Sequence, residues 1–192
     1  DPDNRLLSRG SRFRMSAEMI RDHALTVSGL LVERLGGPSV KPYQPPGLWV
    51  ELTLEESRYV QDTGEDLYRR SLYTYWKRTV APPGMMILDA PQRETCSVRD
   101  TRTNTPLQAL TLLNDVTYVE AARALAQRVL NLVEVNDSER LTHAFRLVTS
   151  RHPSSAEIAV LKSSLEFHRR RFESQSNEAR KLTSFGDSVV KS

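Results

Sequence analysis

Apolar residues recur at helix spacing near the start of the chain. Met15, Met19, Ile20, Val27, Leu30, Leu31 and Leu35 fall on one face, which predicts a helix over residues 16–34. Ser16 suits its N-cap, and Gly36-Gly37-Pro38 suits its end, because glycine takes the left-handed conformation and proline cannot continue a helix. Pro42, Pro45 and Pro46 surround Tyr43 in the next segment, which reads as an extended wall or linker. The pattern then changes period: Tyr68, Leu72 and Trp76 are set against Arg69, Tyr73 and Lys77, and Thr74 and Tyr75 add strand propensity. A strand is expected there. The turn Asp62 to Asp66, with Gly64 able to take positive φ, joins it to residues 58–61 as an antiparallel hairpin over 58–76. A helix through residues 68–78 is the competing reading.

Val80-Ala81-Pro82-Pro83-Gly84 ends that element, and residues 79–104 follow as a loop. Thr105, Pro106 and Gln108 have the order of a capping box with proline in the first turn, opening a short helix whose Leu107, Leu110 and Leu113 are expected to face inward. Asn114-Asp115 interrupts it. Thr117 and Glu120 have the spacing of a second capping box, for a helix over 118–131 with Val119, Ala122, Leu125, Ala126 and Val129 as its apolar stripe. Leu141, Ala144, Phe145 and Val148 give a buried face to a helix over 138–150, and Ser154 with Glu157 caps another over 155–174. The fold class expected is mainly α: a helical bundle over 106–174 with a small antiparallel β-hairpin insertion. Residues 1–176 read as one domain, incomplete at both ends, and 177–192 as a polar tail or linker.

Composition adds limits. The chain is 39% hydrophobic and 27% charged, ordinary for a globular protein, and no apolar run reaches the roughly 18 residues of a membrane span. The single cysteine, Cys96, leaves no internal disulfide, no CxxC pair for zinc and no CxxCH for covalent haem. His23, His143, His152 and His168 lack a second histidine at metal-ligand spacing. No metal site and no cofactor is therefore expected in this chain. A sequence opening at Asp1 without methionine and closing in a polar stretch reads as a piece of something longer.

The net charge of +3 is concentrated. Residues 66–102 hold Arg69, Arg70, Lys77, Arg78, Arg93, Arg99 and Arg102 against Asp66, Asp89, Glu94 and Asp100, interleaved with Tyr68, Tyr73, Tyr75 and Trp76. Such mixtures bind phosphates, sugars or bases, and also brace packed loops. Arg169-Arg170-Arg171 sits at a helix C-terminus, where cations complement the helix dipole, and lacks the wider basic face that nucleic acid requires.

The candidate site is the 93–104 loop: Arg93, Glu94, Cys96, Arg99, Arg102 and Asn104, with Tyr73, Trp76 and Lys77 if the hairpin packs beside it. Forked arginine donors suit anionic groups and aromatic faces suit sugar rings. Glu94 is a potential acid or base, and Cys96 a potential nucleophile that lacks a nearby histidine. The same loop has a structural reading, since arginine can bond several backbone carbonyls at once and so brace an irregular connection.

Four ordered blocks carry a resemblance: Gly36 to Trp49, Leu67 to Thr79, Asp89 to Leu110, and Leu112 to Asp115 with Val119 to Ala126. Together they resemble the planctomycete PSD1 domain, also called domain of unknown function 1553, over roughly residues 1–165. The resemblance implies a large exported multidomain parent, periplasmic or at the cell surface, often with a c-type haem domain elsewhere in it. It names no catalytic residue. Two functions of different class follow: a structural or interaction module contacting other domains of the parent, or part of a redox or glycan-directed enzyme whose 93–104 loop binds an anionic or carbohydrate ligand.

Overall fold

The computed structural model describes residues 3, 5–8, 10, 13–52, 58–93, 96, 102–132 and 135–189. Among them the helices are α1 (Ala17–Ser28), α2 (Leu48–Leu52), α3 (Pro83–Ile87), α4 (Pro106–Asn114), α5 (Val116–Leu130), α6 (Asp137–Thr149), α7 (Ser155–Ser174) and α8 (Ser176–Thr183). Two short 3₁₀ turns, Gly64–Tyr68 and Ser71–Tyr73, stand between α2 and α3. The chain is mainly helical, as its periodicity indicates.

The hairpin is not there. Residues 58–76 contain no strand, and the bridges of the region are isolated single pairs, Val32 with Arg69 and Val40 with Thr74. The partner of residues 68–75 is the chain that leaves α1 and enters the proline-rich strap: Val32 N–H donates to Tyr68 O at 3.0 Å, Val40 N–H to Tyr73 O at 2.8 Å, and Tyr75 N–H to Val40 O at 2.7 Å. The cause lies in the arginines. Arg21, on α1, donates to Leu67 O at 2.7 Å and Arg69 O at 2.8 Å, so two carbonyls that a hairpin ladder would use are spent on a side chain. Arg69 is itself fully buried, which breaks the alternation, and Leu72 is left 69% exposed.

Helix α1 is shorter than its apolar pattern. Ser16 caps its start as expected, accepting from Met19 N–H at 3.3 Å. It ends at Gly29, not at the Gly36-Gly37 pair, because Gly29 takes φ 79° and its N–H, with that of Leu30, closes onto the last-turn carbonyls. Thr105 and Gln108 do form the capping box of α4. Helix α5 differs: its N-cap is Asp115, whose side chain accepts from Thr117 N–H at 2.9 Å, and Glu120 is buried and plays no capping part. Asn136 with Glu139, and Ser154 with Glu157, box the starts of α6 and α7. The stretch read as a tail contains α8 and a return segment over residues 185–189.

The core sits where α1 crosses α5. One cluster packs Ala17 with Met85, Leu88 and Ala90; another packs Leu25 with Leu67 and Tyr68 under Tyr43. Helices α6 and α7 contribute no fully buried residue and form an outer layer.

Candidate functional site

The 93–104 loop is anchored at its two ends. At the first, Asp89 takes φ 62°, a left-handed conformation that aspartate tolerates, and turns the chain out of α3. Its carboxylate accepts from Thr103 N–H, from Thr103 Oγ1 at 2.9 Å, and from Gln108 Nε2 at 2.9 Å. These bonds, the Thr103 amide first, hold its pKa below the ordinary carboxylate value. At the other end Gln108, buried, accepts from Arg14 Nη2 at 2.8 Å, and the same nitrogen reaches Asn104 Oδ1 at 3.4 Å.

The predicted site residues go to separate places. Arg93 lies over the Trp76 ring at 4.3 Å and pairs with Glu18 of α1 at 3.2 Å. Trp76 packs against the Ala17 cluster. Lys77 lies over the Trp49 ring at 4.6 Å. Tyr73 lies beneath Arg69 at 3.9 Å, and its hydroxyl accepts from Gly36 N–H at 2.8 Å. Cys96, Arg102 and Asn104 are exposed. Glu94 and Arg99 lie outside the described residues. Arg93 and Trp76 are thus brought into direct contact.

Two arginines outside the predicted site, Arg69 of the basic region and Arg21 of α1, make the deepest polar contacts. Arg69 donates to Pro38 O at 2.9 Å, to Arg34 O at 3.0 Å and to Gly36 O. Arg21 adds Ser71 Oγ at 3.2 Å to its two carbonyls, while its neighbour Asp22 accepts from Ser71 N–H at 2.7 Å. Burial lowers the Arg21 pKa, opposed chiefly by the Asp22 charge. The only sequence signal for them is negative: a charge inside the apolar pattern of α1, and a charge inside an apparent strand.

Beside Arg21 lies a cleft of about 50 Å³, walled by the Pro42–Pro45 strap, by Pro82 to Met85 and by the start of α5. Arg21 Nε, Gln44 Nε2 and Thr74 Oγ1 line it without a hydrogen-bond partner among the described residues. Tyr59 and Tyr118 complete the lining, and burial, before any charge, raises both of their pKa values. Both are neutral phenols at pH 7, and Tyr59 gives its hydroxyl proton to Pro42 O at 2.5 Å. The cleft is rich in donors and has room for a few water-sized groups. Among the described residues no three His, Cys, Asp or Glu side chains stand together as a metal site.

A larger open surface runs along α4 and α5. Leu107, Leu110 and Leu113, expected to face inward, are 56%, 55% and 72% exposed. Leu112 and Leu113 continue into a groove of about 470 Å³ whose floor is Val119, Ala122 and Ala126 of α5 and whose far wall is Leu182 of α8. Val119, Ala122 and Ala126 of the α5 stripe line this groove together with Arg123, while Leu125 and Val129 face α6 and α7 and Glu120 is buried.

The family model for PSD1, a protein of unknown function (DUF1553), matches residues 1–165. The chain belongs to the PSD1 family. No curated protein and no solved structure matches it. The PSD1 match takes in α1 to α6, the strap, both brace arginines and the 93–104 loop, and stops within α7. No helix among the described residues is long and apolar enough to cross a membrane.

Proposed function

We propose that this PSD1 chain is a structural and interaction module of a large exported multidomain protein, and that it docks other parts of that protein through α4 and the groove beside it. The observation that carries this reading is the exposure of Leu107, Leu110 and Leu113 on one helix, continuous with the apolar groove over α5. Apolar surface left in water forgoes roughly 25 cal/mol per Å², and contiguous patches of it mark interaction surfaces. The 93–104 loop supports the same reading, since Arg93 is engaged by Glu18 and Trp76 and the Asp89 and Gln108 ends are tied internally. Any haem belongs, on this reading, to another domain of the parent.

The test is amide hydrogen exchange along α4, in the isolated chain and in the full-length parent. Exchange in the parent is expected to slow by about tenfold or more. Changing Leu110 and Leu113 to lysine is expected to abolish that protection while leaving the melting temperature of the isolated chain within a few degrees. Equal exchange in the chain and the parent overturns the proposal.

A further inference from the structure

Helix α5 buries two charges one turn apart, Glu120 at 1% and Arg123 at 9% exposure. Buried charges require partners. Glu120 Oε1 accepts from Tyr68 Oη at 2.8 Å and lies 3.7 Å from Arg123 Nη2. Its remaining partner is the return segment: Ser188 N–H donates to the same oxygen at 2.7 Å. Arg123 Nη2 in turn donates to Ser188 O at 2.8 Å and to Ser188 Oγ. One residue earlier, Asp187 N–H donates to Tyr43 Oη at 2.7 Å, and that hydroxyl lies 3.4 Å from Tyr68 Oη. Two consecutive amides and a carbonyl are thus read by side chains, in the manner of peptide capture. The residue before them must be small. Gly186 takes φ 85°, and a Cβ placed on it would stand 2.0 Å from Glu120 Cδ.

The reading groups and the segment they hold differ in one respect. Tyr43, Tyr68, Glu120 and Arg123 all fall within the PSD1 match, and Gly186 to Ser188 fall beyond it. The site is built by the family's portion of the chain and filled by a segment outside that portion.

We propose that Tyr43, Tyr68, Glu120 and Arg123 form a binding site for a bent polypeptide segment of the pattern glycine, any residue, serine, its glycine in the left-handed conformation. Gly186-Asp187-Ser188 occupies it in cis, and the same pattern supplied in trans competes for it. Arg123 also lines the groove beside α4, but the capture of residues 187–188 does not rest on the exposure of α4.

The probe is a fluorescent peptide with the sequence of residues 183–189, titrated against the full chain and followed by anisotropy. In the full chain carrying Gly186→Ala, the added methyl displaces the resident segment and opens the site. Saturable binding is expected there, about tenfold or more tighter than to the unaltered chain, whose own segment competes. A peptide with alanine in place of its glycine, and a chain carrying Glu120→Gln as well, are each expected to bind about tenfold or more weaker. A chain with Ser188→Pro, which removes the amide given to Glu120, provides a second route to the open site. Absence of saturable binding to a folded variant, or equal binding to the variant and the unaltered chain, overturns the proposal. Loss of folding in both variants also overturns it, since the segment is then part of the core.

Discussion

Arg69 and Arg93 are two arginines in the basic region with opposite surroundings, and they predict opposite responses. Arg69 is fully buried and satisfies three carbonyls of the strap, so Arg69→Ala leaves those acceptors dry and unpaired. A loss of about 3 kcal/mol or more in urea unfolding is expected. Arg93 forms a half-exposed ion pair with Glu18 and a stack on Trp76, and Arg93→Ala is expected to cost about 1 kcal/mol or less. Similar losses for the two would refute this division. Arg21→Lys belongs with Arg69: one ammonium nitrogen cannot reproduce a fork that reaches Leu67 O and Arg69 O together, and about 1–3 kcal/mol should be lost.

At the scale of elements, the starts of α1, α4 and α7 were legible, whereas the cap of α5 and the helix faces were not. A cap is a local event, decided by a residue and the three after it. Ser16, Thr105 with Gln108, and Ser154 with Glu157 accordingly stand where the sequence places them. Which face of a helix is buried depends on distant segments. The leucines of α4 turn outward, and α5 buries Glu120 and Arg123, because Tyr68 and residues 187–188 arrive to pair with them. The supposed strand failed for the same reason, its carbonyls being taken by an arginine 46 residues earlier. The candidate site was half legible: Arg93 and Trp76 do meet, whereas the arginines with the largest internal role show only a charge out of place in an apolar pattern. One element carries a pH signature. Arg151 first, then the Ser154 amide, draw the Glu157 carboxyl down to about 2. A depressed carboxylate stabilises fully above its ordinary value of 4.5, and that contribution is lost as pH falls through about 2. An NMR titration should show the low midpoint, and Glu157→Gln should remove this part of the acid dependence.

Across the whole molecule, tyrosines join the strap to α5. Burial raises the pKa of Tyr43, Tyr59 and Tyr118, and that of Tyr68 is pushed up to about 12. The folded state therefore favours the neutral phenols. Their contribution is complete below the ordinary tyrosine value of 10 and is lost as pH rises through the raised values. Absorbance at the phenolate band should show these four ionising together with the loss of helix by circular dichroism. Ionisation at ordinary tyrosine pH with the helices intact would contradict it.

The grip of Arg69 on residues 34–38 has an evolutionary corollary. Its acceptors are main-chain carbonyls of Arg34, Gly36 and Pro38, a chemical group that all residue types carry. The clamp therefore constrains the path of the strap far more than its spelling. Side chains along it, apart from the left-handed Gly36 and Gly37, can drift, and new binding specificities can be tried there, provided the backbone course and one arginine persist. In a saturation scan, position 69 should tolerate almost nothing, while the exposed side chain of Arg34 should accept most replacements.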